Sequence, residues 1–191
     1  MPPSGGRILF DGADLTYAPA EAHARAGIGR TFQVPATFED MSVLDNVMVG
    51  AFLRYQHRSA AQARALEVIA LTGLAAQTHQ RARALGTPGR KRLEIARVLA
   101  SGPRLMLLDE ALAGLTPAEL QQAIALVRAI HGTGVTLVIV EHIMEVIMTL
   151  AQRVLVFNQG RVIAQGRPAE VVADEAVIAA YLGHGHRRRR R

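Results

Sequence analysis

Arg104-Leu-Met-Leu-Leu-Asp-Glu-Ala-Leu-Ala-Gly-Leu-Thr116 is the stretch on which the reading of this chain turns. Leu105 to Leu108 form a short unbroken apolar run, the pattern of a parallel strand buried on both faces. Asp109 and Glu110 fall where that strand should emerge, at its carboxyl end. Two adjacent carboxylates there are costly unless something cationic meets them. By itself an apolar run followed by Asp-Glu equally describes the start of a loop or a helix cap, so the surrounding chain must decide.

Downstream, Thr116-Pro117-Ala118-Glu119 is a capping box with proline at the first helical position. The helix behind it carries Leu120, Ala123, Ile124 and Val127 on one face and stops at Gly132. Val135 to Val140 reads as a second buried strand ending on Glu141-His142. Val154 to Phe157 and Arg161 to Ala164 read as a hairpin across Asn158-Gln159-Gly160, with short helices to Leu182.

Upstream, Arg7 to Phe10 is an expected strand and Asp11-Gly12 a turn. Pro19 suits the first turn of a helix running to Ala26, with Gly27 as its stop. Ile28 to Gln33 reads as a strand ending on a polar amide. Ser42 is an expected N-cap, with Val43, Leu44, Val47 and Met48 at helical spacing behind it. From there to about Leu99 the pattern is mainly helical; Ala60 to Leu71 is Ala-rich and Gly73 closes it. Apolar strands alternating with helices predict an α/β protein with a parallel sheet.

Composition bounds the rest. A chain of 191 residues is one domain, or one core with a subdomain. Without cysteine it has no disulfide framework, and a reducing cytoplasm is permitted. No apolar run approaches the roughly 20 residues of a membrane span, and no signal peptide opens the chain. Of the formal charge of +6, five positive charges are the run Arg187 to Arg191 after Gly183-His184-Gly185-His186. The body is therefore nearly neutral, and the run reads as a solvated tail rather than a specific nucleic-acid surface.

Several segments together carry a resemblance. Gly27-Ile-Gly-Arg-Thr-Phe-Gln33, followed by Met41-Ser-Val-Leu-Asp-Asn46, resembles the Q-loop region of an ABC-transporter ATPase. Arg92-Leu-Glu-Ile-Ala-Arg97 is similar to the helix behind the ABC signature, Leu105 to Glu110 to Walker B, and Ala113-Gly-Leu-Thr116 to the D-loop. His142 matches the switch histidine. Arg-Thr-Phe-Gln, Glu-His at the strand end and the close Ala180-Tyr-Leu-Gly183 look most like the ATPases of branched-chain amino acid importers.

The resemblance implies a P-loop NTPase-type α/β fold, mainly parallel, with an inserted helical subdomain. It divides the chain into residues 1–34 with the Q-loop, a helical subdomain at 35–100, a catalytic core at 101–183 and a basic tail at 184–191. It implies ATP and Mg²⁺, with Gln33 and Asp109 at the metal, Glu110 activating the attacking water and His142 donating to the γ-phosphate. Thr116 and Thr87 are the further expected nucleotide contacts. The implied partners are a second ABC ATPase subunit, identical or not, transmembrane permease subunits and, indirectly, a solute-binding protein. The implied place is the cytoplasmic face of the cell membrane.

Two departures qualify this. Nothing matches Gly-x-x-x-x-Gly-Lys-[Ser/Thr]; Gly86-Thr-Pro-Gly-Arg-Lys91 lacks the spacing and the Gly-Lys pair. In the family that loop precedes the segment at which this chain begins, so weak ATP binding by the chain alone and uncovered apolar sheet surface are expected. The signature is also altered: where the family has Leu-Ser-x-Gly-Gln, this chain has Leu85-Gly86-Thr87-Pro88-Gly89. Thr87 is expected as N-cap of the following helix, its hydroxyl turned to the opposite subunit's nucleotide, with Arg90 or Lys91 adding charge there. The alternatives are a non-hydrolysing, partner-dependent subunit and an ABC-fold protein of the translation or DNA-repair kind.

Overall fold

The computed structural model describes residues 3–182. The Arg187 to Arg191 run lies outside the described residues, as does Gly183 of the Ala180-Tyr-Leu-Gly183 close. The chain divides into two compact units after Val140.

In the first unit, β1 (Leu9–Phe10) and β2 (Ala13–Asp14) pair antiparallel. Asp11 and Gly12 between them take φ of 48° and 79°, the backbone a two-residue hairpin needs. Only the last two residues of the strand expected from Arg7 form. Helix α1 (Ala20–Ala26) follows Pro19, which is its N-cap rather than a first-turn residue. Gly27 ends the helix at φ 104°, and its carbonyl accepts from Arg104 N (2.8 Å) and Leu105 N (3.1 Å). The turn that stops the helix therefore also sets the start of the sheet.

That sheet takes one parallel strand from each side of a helical stretch. β3 (Ile28–Arg30) leads to α2 (Val43–Ala51), α3 (Arg58–Leu71) and α4 (Thr87–Ala100), after which β4 (Leu105–Asp109) returns beside it. Helix α5 (Pro117–Gly132) then delivers β5 (Thr136–Val140). The strand order is β3-β4-β5, with Ile28 opposite Leu105 and Leu105 opposite Thr136. The expected strand to Gln33 stops at Arg30. Thr31 N still reaches Leu107 O (3.0 Å), but the next amide, Phe32 N, is taken by the Glu94 carboxylate and the chain leaves the ladder.

The helices bury aliphatic stripes: Val43, Val47, Met48 and Ala51 on α2, Ala61, Ala65, Val68 and Ile69 on α3, and Leu93, Ala96 and Leu99 on α4. Ser42 caps α2 as expected, its hydroxyl accepting from Asp45 N at 3.0 Å. Gly50 is where α2 meets α4 most closely, since a Cβ there would stand 1.9 Å from Arg97 O. On α5, Thr116 and Glu119 complete the expected capping box, and Leu120, Ile124, Val127 and Ile130 are buried. Met106 and Leu108 of β4 are fully enclosed.

β5 corrects an expectation. Val138 is 50% exposed and Val140 56%, so it is not a second buried strand. It is the sheet's edge, paired among the described residues with β4 alone, and it presents apolar side chains that no second neighbour covers.

The second unit holds α6 (Met144–Leu150), the antiparallel pair β6 (Val154–Asn158) and β7 (Arg161–Gly166), then α7 (Pro168–Val172) and α8 (Glu175–Leu182). Asn158 lies opposite Arg161, and Gln159 and Gly160 between them both take positive φ, 49° and 75°. This is the hairpin the sequence predicted, with β7 longer by two residues.

Candidate functional site

The parallel strands β3 and β4 run in one direction, so their carboxyl ends bring Arg30, Gln33, Asp109 and Glu110 to the same edge of the sheet. Asp109 is the last residue of β4; its backbone amide reaches the Thr31 hydroxyl at 3.3 Å. Its carboxylate pairs with the Arg30 guanidinium at 3.1 Å, and that guanidinium also lies over the Phe32 ring, 5.3 Å from its centroid. Side-chain exposures of 56% for Arg30 and 34% for Asp109 make this a hydrated pair.

Glu110 leaves the strand with φ 46°, in the left-handed region that a side chain disfavours. Several contacts hold it there. Its amide donates to Val140 O at 3.0 Å, the end of β5. The Gln33 side-chain amide donates to its carboxylate at 2.7 Å. Lys91 donates to its carbonyl at 3.3 Å and to that of Ala113 at 2.6 Å. Three of the expected site residues, Gln33, Asp109 and Glu110, are thus brought together from positions more than 70 residues apart in the chain.

The oxygen donors of this edge, the Asp109 carboxylate and the Gln33 amide carbonyl, suit a hard cation. No cluster of three or more His, Cys, Asp or Glu side chains able to form a metal cage occurs among the described residues. Mg²⁺ is commonly held by one or two protein oxygens, the rest coming from phosphate and water, and the donor set fits that ion.

Other expectations change. Gly86, not Thr87, is the N-cap of α4; Thr87 lies in the first turn, exposed, and no side chain caps the helix. Gly86 takes the extended cap conformation (φ −66°, ψ 171°), which starts the helix one residue earlier than expected. Arg90 donates to Leu85 O, Arg83 O and the Glu39 carboxylate, tying down the altered signature loop. Lys91 is committed to Glu110 O and Ala113 O. The Thr116 hydroxyl donates to Glu119 Oε2 at 2.8 Å, so it serves the cap of α5. His142 is exposed, is the second residue of the second unit and precedes α6.

Two participants, Arg30 and Glu94, were not singled out from the sequence. Glu94, only 3% exposed, sits among buried Leu93, Ile95 and Ala96 on α4, and its Oε1 accepts from both Phe32 N and Ala36 N at 3.3 Å. Burial pushes its carboxyl above the ordinary range, opposed by those two amides and by the nearby Arg97 and Lys91 charges. The available signal was an acidic residue inside the apolar face of a helix, within Arg92-Leu-Glu-Ile-Ala-Arg97.

Comparison with known proteins now bears on this geometry. A family model described as ABC transporter matches residues 1–113, more than half of the chain. The chain belongs to the ABC transporter family. It is an ATP-binding subunit of the ABC type, and the α/β fold with its parallel sheet is that of the P-loop ATPases. A second model, branched-chain amino acid ATP-binding cassette transporter, matches residues 161–187. The chain is 36% identical to the high-affinity branched-chain amino acid transport ATP-binding protein LivG of Escherichia coli K12, over 95% of this chain and 77% of that protein. It is 32% identical to the lipopolysaccharide export system ATP-binding protein LptB of the same organism, over 98% of this chain and 78% of LptB. Among solved structures, the ADP conformation of MJ1267, an ATP-binding cassette of an ABC transporter, matches with a TM-score of 0.82 and 25% identity, over 94% of this chain and 78% of that one. ABC ATPase domains of this kind bind adenine nucleotide and act as dimers with membrane permeases. No helix among the described residues is long and apolar enough to cross a membrane.

Proposed function

We propose that this ABC subunit hydrolyses MgATP at the edge formed by Gln33, Asp109 and Glu110, and so energises import of branched-chain or related amino acids. The observation that carries the hydrolytic reading is the 2.7 Å hydrogen bond from the Gln33 amide to the Glu110 carboxylate. The two side chains lie side by side beyond the ends of β3 and β4, and a water molecule beside them is the proposed nucleophile. The water oxygen attacks the γ-phosphorus, its proton passes to a Glu110 carboxylate oxygen, and the bond from the γ-phosphorus to the ADP oxygen breaks. Asp109 and Gln33 are the residues that would hold Mg²⁺, which when bound offsets the phosphate charge. His142 donates to the γ-phosphate as charge shifts onto the departing phosphoryl oxygens. Thr87, exposed in the first turn of α4, offers its hydroxyl to the nucleotide of a second subunit, and Thr116 shapes the loop ahead of α5.

The solute class rests on the likeness to LivG and on the match at residues 161–187. Exposed Phe32 just before Gln33, Val34 and Phe38 after it, and Val49 and Phe52 on and just beyond α2 are the face offered to a permease at the cytoplasmic side of the membrane. A solute-binding protein then delivers the amino acid from the far side.

Glu110→Gln tests the chemistry: ATP turnover of the assembled transporter should fall at least about 100-fold while nucleotide is still bound. Turnover at the wild-type rate would remove Glu110 from its role. The 32% identity to LptB supports a second reading, energising export of a lipopolysaccharide. Deleting the gene and measuring leucine uptake beside outer-membrane integrity separates them. Lost uptake supports the importer, and intact uptake with a leaky envelope supports the exporter.

A further inference from the structure

We propose that Lys91 and Glu94, one turn apart on α4, are a pair of positioning residues that lock Gln33 and Glu110 into register by holding the backbone of both loops from one helix. This rests on the reading that Gln33 and Glu110 carry hydrolysis.

The geometry is complementary in sign. Glu94 Oε1 accepts the amides of Phe32 and Ala36, each at 3.3 Å, and those residues bracket Gln33. Lys91 Nζ donates to the carbonyls of Glu110 (3.3 Å) and Ala113 (2.6 Å), which bracket the turn after β4. An anion holds two N–H groups and a cation holds two carbonyls. Spacing of i and i+3 puts both side chains on neighbouring parts of one helix face. Neither loop is held in its working shape by regular secondary structure. Phe32 and Ala36 lie beyond the end of β3, and Glu110 stands in the left-handed region with φ 46°. Such a conformation persists only where surrounding contacts over-determine it. The two loops then meet through Gln33 and Glu110 at 2.7 Å, so a shift of α4 moves both sides of the contact together.

A simple Lys91–Glu94 ion pair on the helix is the competing account, and a charge swap separates the two. Lys91→Glu combined with Glu94→Lys keeps an i, i+3 ion pair but presents a carboxylate to carbonyls and an ammonium to amides. The proposal expects this double variant to lose ATPase activity; wild-type activity in it would overturn the proposal. Glu94→Gln retains an acceptor oxygen and should keep turnover near wild type, whereas Glu94→Leu should lower kcat with little change in KM.

Amide hydrogen exchange on the full chain gives a readout independent of turnover. Exchange at Phe32 and Ala36 should accelerate by about tenfold or more in Glu94→Leu and stay slow in Glu94→Gln, with α5 amides unchanged. Unchanged exchange at those two amides in Glu94→Leu, or equally fast exchange in Glu94→Gln, overturns the tether. Faster exchange with an unchanged kcat overturns the positioning role. Should Glu94→Leu not fold, Lys91→Met decides: kcat should fall with Phe32 and Ala36 exchange unaltered, and an unaltered kcat overturns the pair. If Glu110→Gln retains full turnover, the catalytic reading fails instead, while the exchange data still judge the tether.

Discussion

The Gln33 side-chain amide donates to Glu110 Oε2 at 2.7 Å, across 77 positions of sequence. The contact joins the segment leaving β3 to the residue that follows β4. Gln33→Leu keeps side-chain bulk but removes the donor, leaving the Glu110 carboxylate unoriented. The expected outcome is a kcat lower by about 10- to 100-fold, as for other misplaced catalytic groups. Steady-state ATPase measurements check it; a change confined to KM would mean that the contact serves binding instead.

Arg30 and Asp109 form a pair that Mg²⁺ would have to share. Both side chains are hydrated, so the pair contributes no more than about 1 kcal/mol to stability. Arg30→Met should therefore barely move the unfolding midpoint, yet it removes a positive charge from the expected metal ligand. The Mg²⁺ concentration for half-maximal ATPase rate should drop. A titration showing the same or a higher midpoint would count against Asp109 as a ligand.

Gly50→Ala sets two effects against each other. Alanine favours an exposed helix by about 1 kcal/mol over glycine. Here its Cβ would meet Arg97 O at 1.9 Å, a backbone atom of a packed helix that cannot rotate away. Overpacking wins, and a loss of about 3 kcal/mol or more is expected. Chemical denaturation of the two proteins measures it, and equal stability would show that α2 and α4 separate at little cost.

Glu94 gives the chain a pH dependence. Burial raises its native pKa above the unfolded value. Its stabilising contribution is therefore complete below the unfolded pKa and is lost as pH rises through the raised native pKa. Glu94→Gln removes that titration. The variant should gain stability relative to wild type as pH rises from the acid range toward neutral. Urea unfolding at several pH values tests this, and a stability difference that does not vary with pH would refute it.

Local chemistry made much of the fold legible. Thr116 to Glu119 announced α5, Ser42 announced α2, and Gly27 marked the stop of α1. Each of these signals acts within a few residues, between a side chain and nearby backbone. The expectations that moved depended on distant partners. Thr87 reads as a helix cap until Gly86 is seen to occupy the cap geometry. Val135 to Val140 reads as a buried strand, because an apolar run carries no record of whether it has one neighbour or two.

The order of apolar strands and capping signals was enough to determine the α/β class and the helical stretch between β3 and β4, and the resemblance of their segments to ABC ATPase motifs made Gln33, Asp109 and Glu110 candidates. Only the tertiary structure decided what those side chains touch. Arg30 lies against Asp109, Glu94 holds the amides around Gln33, and Lys91 holds the carbonyls after β4. The physical reason is range. Helix and turn propensities are set by neighbours in sequence, whereas a buried carboxylate such as Glu94 is explained only by the backbone donors that packing brings to it from about 60 residues away.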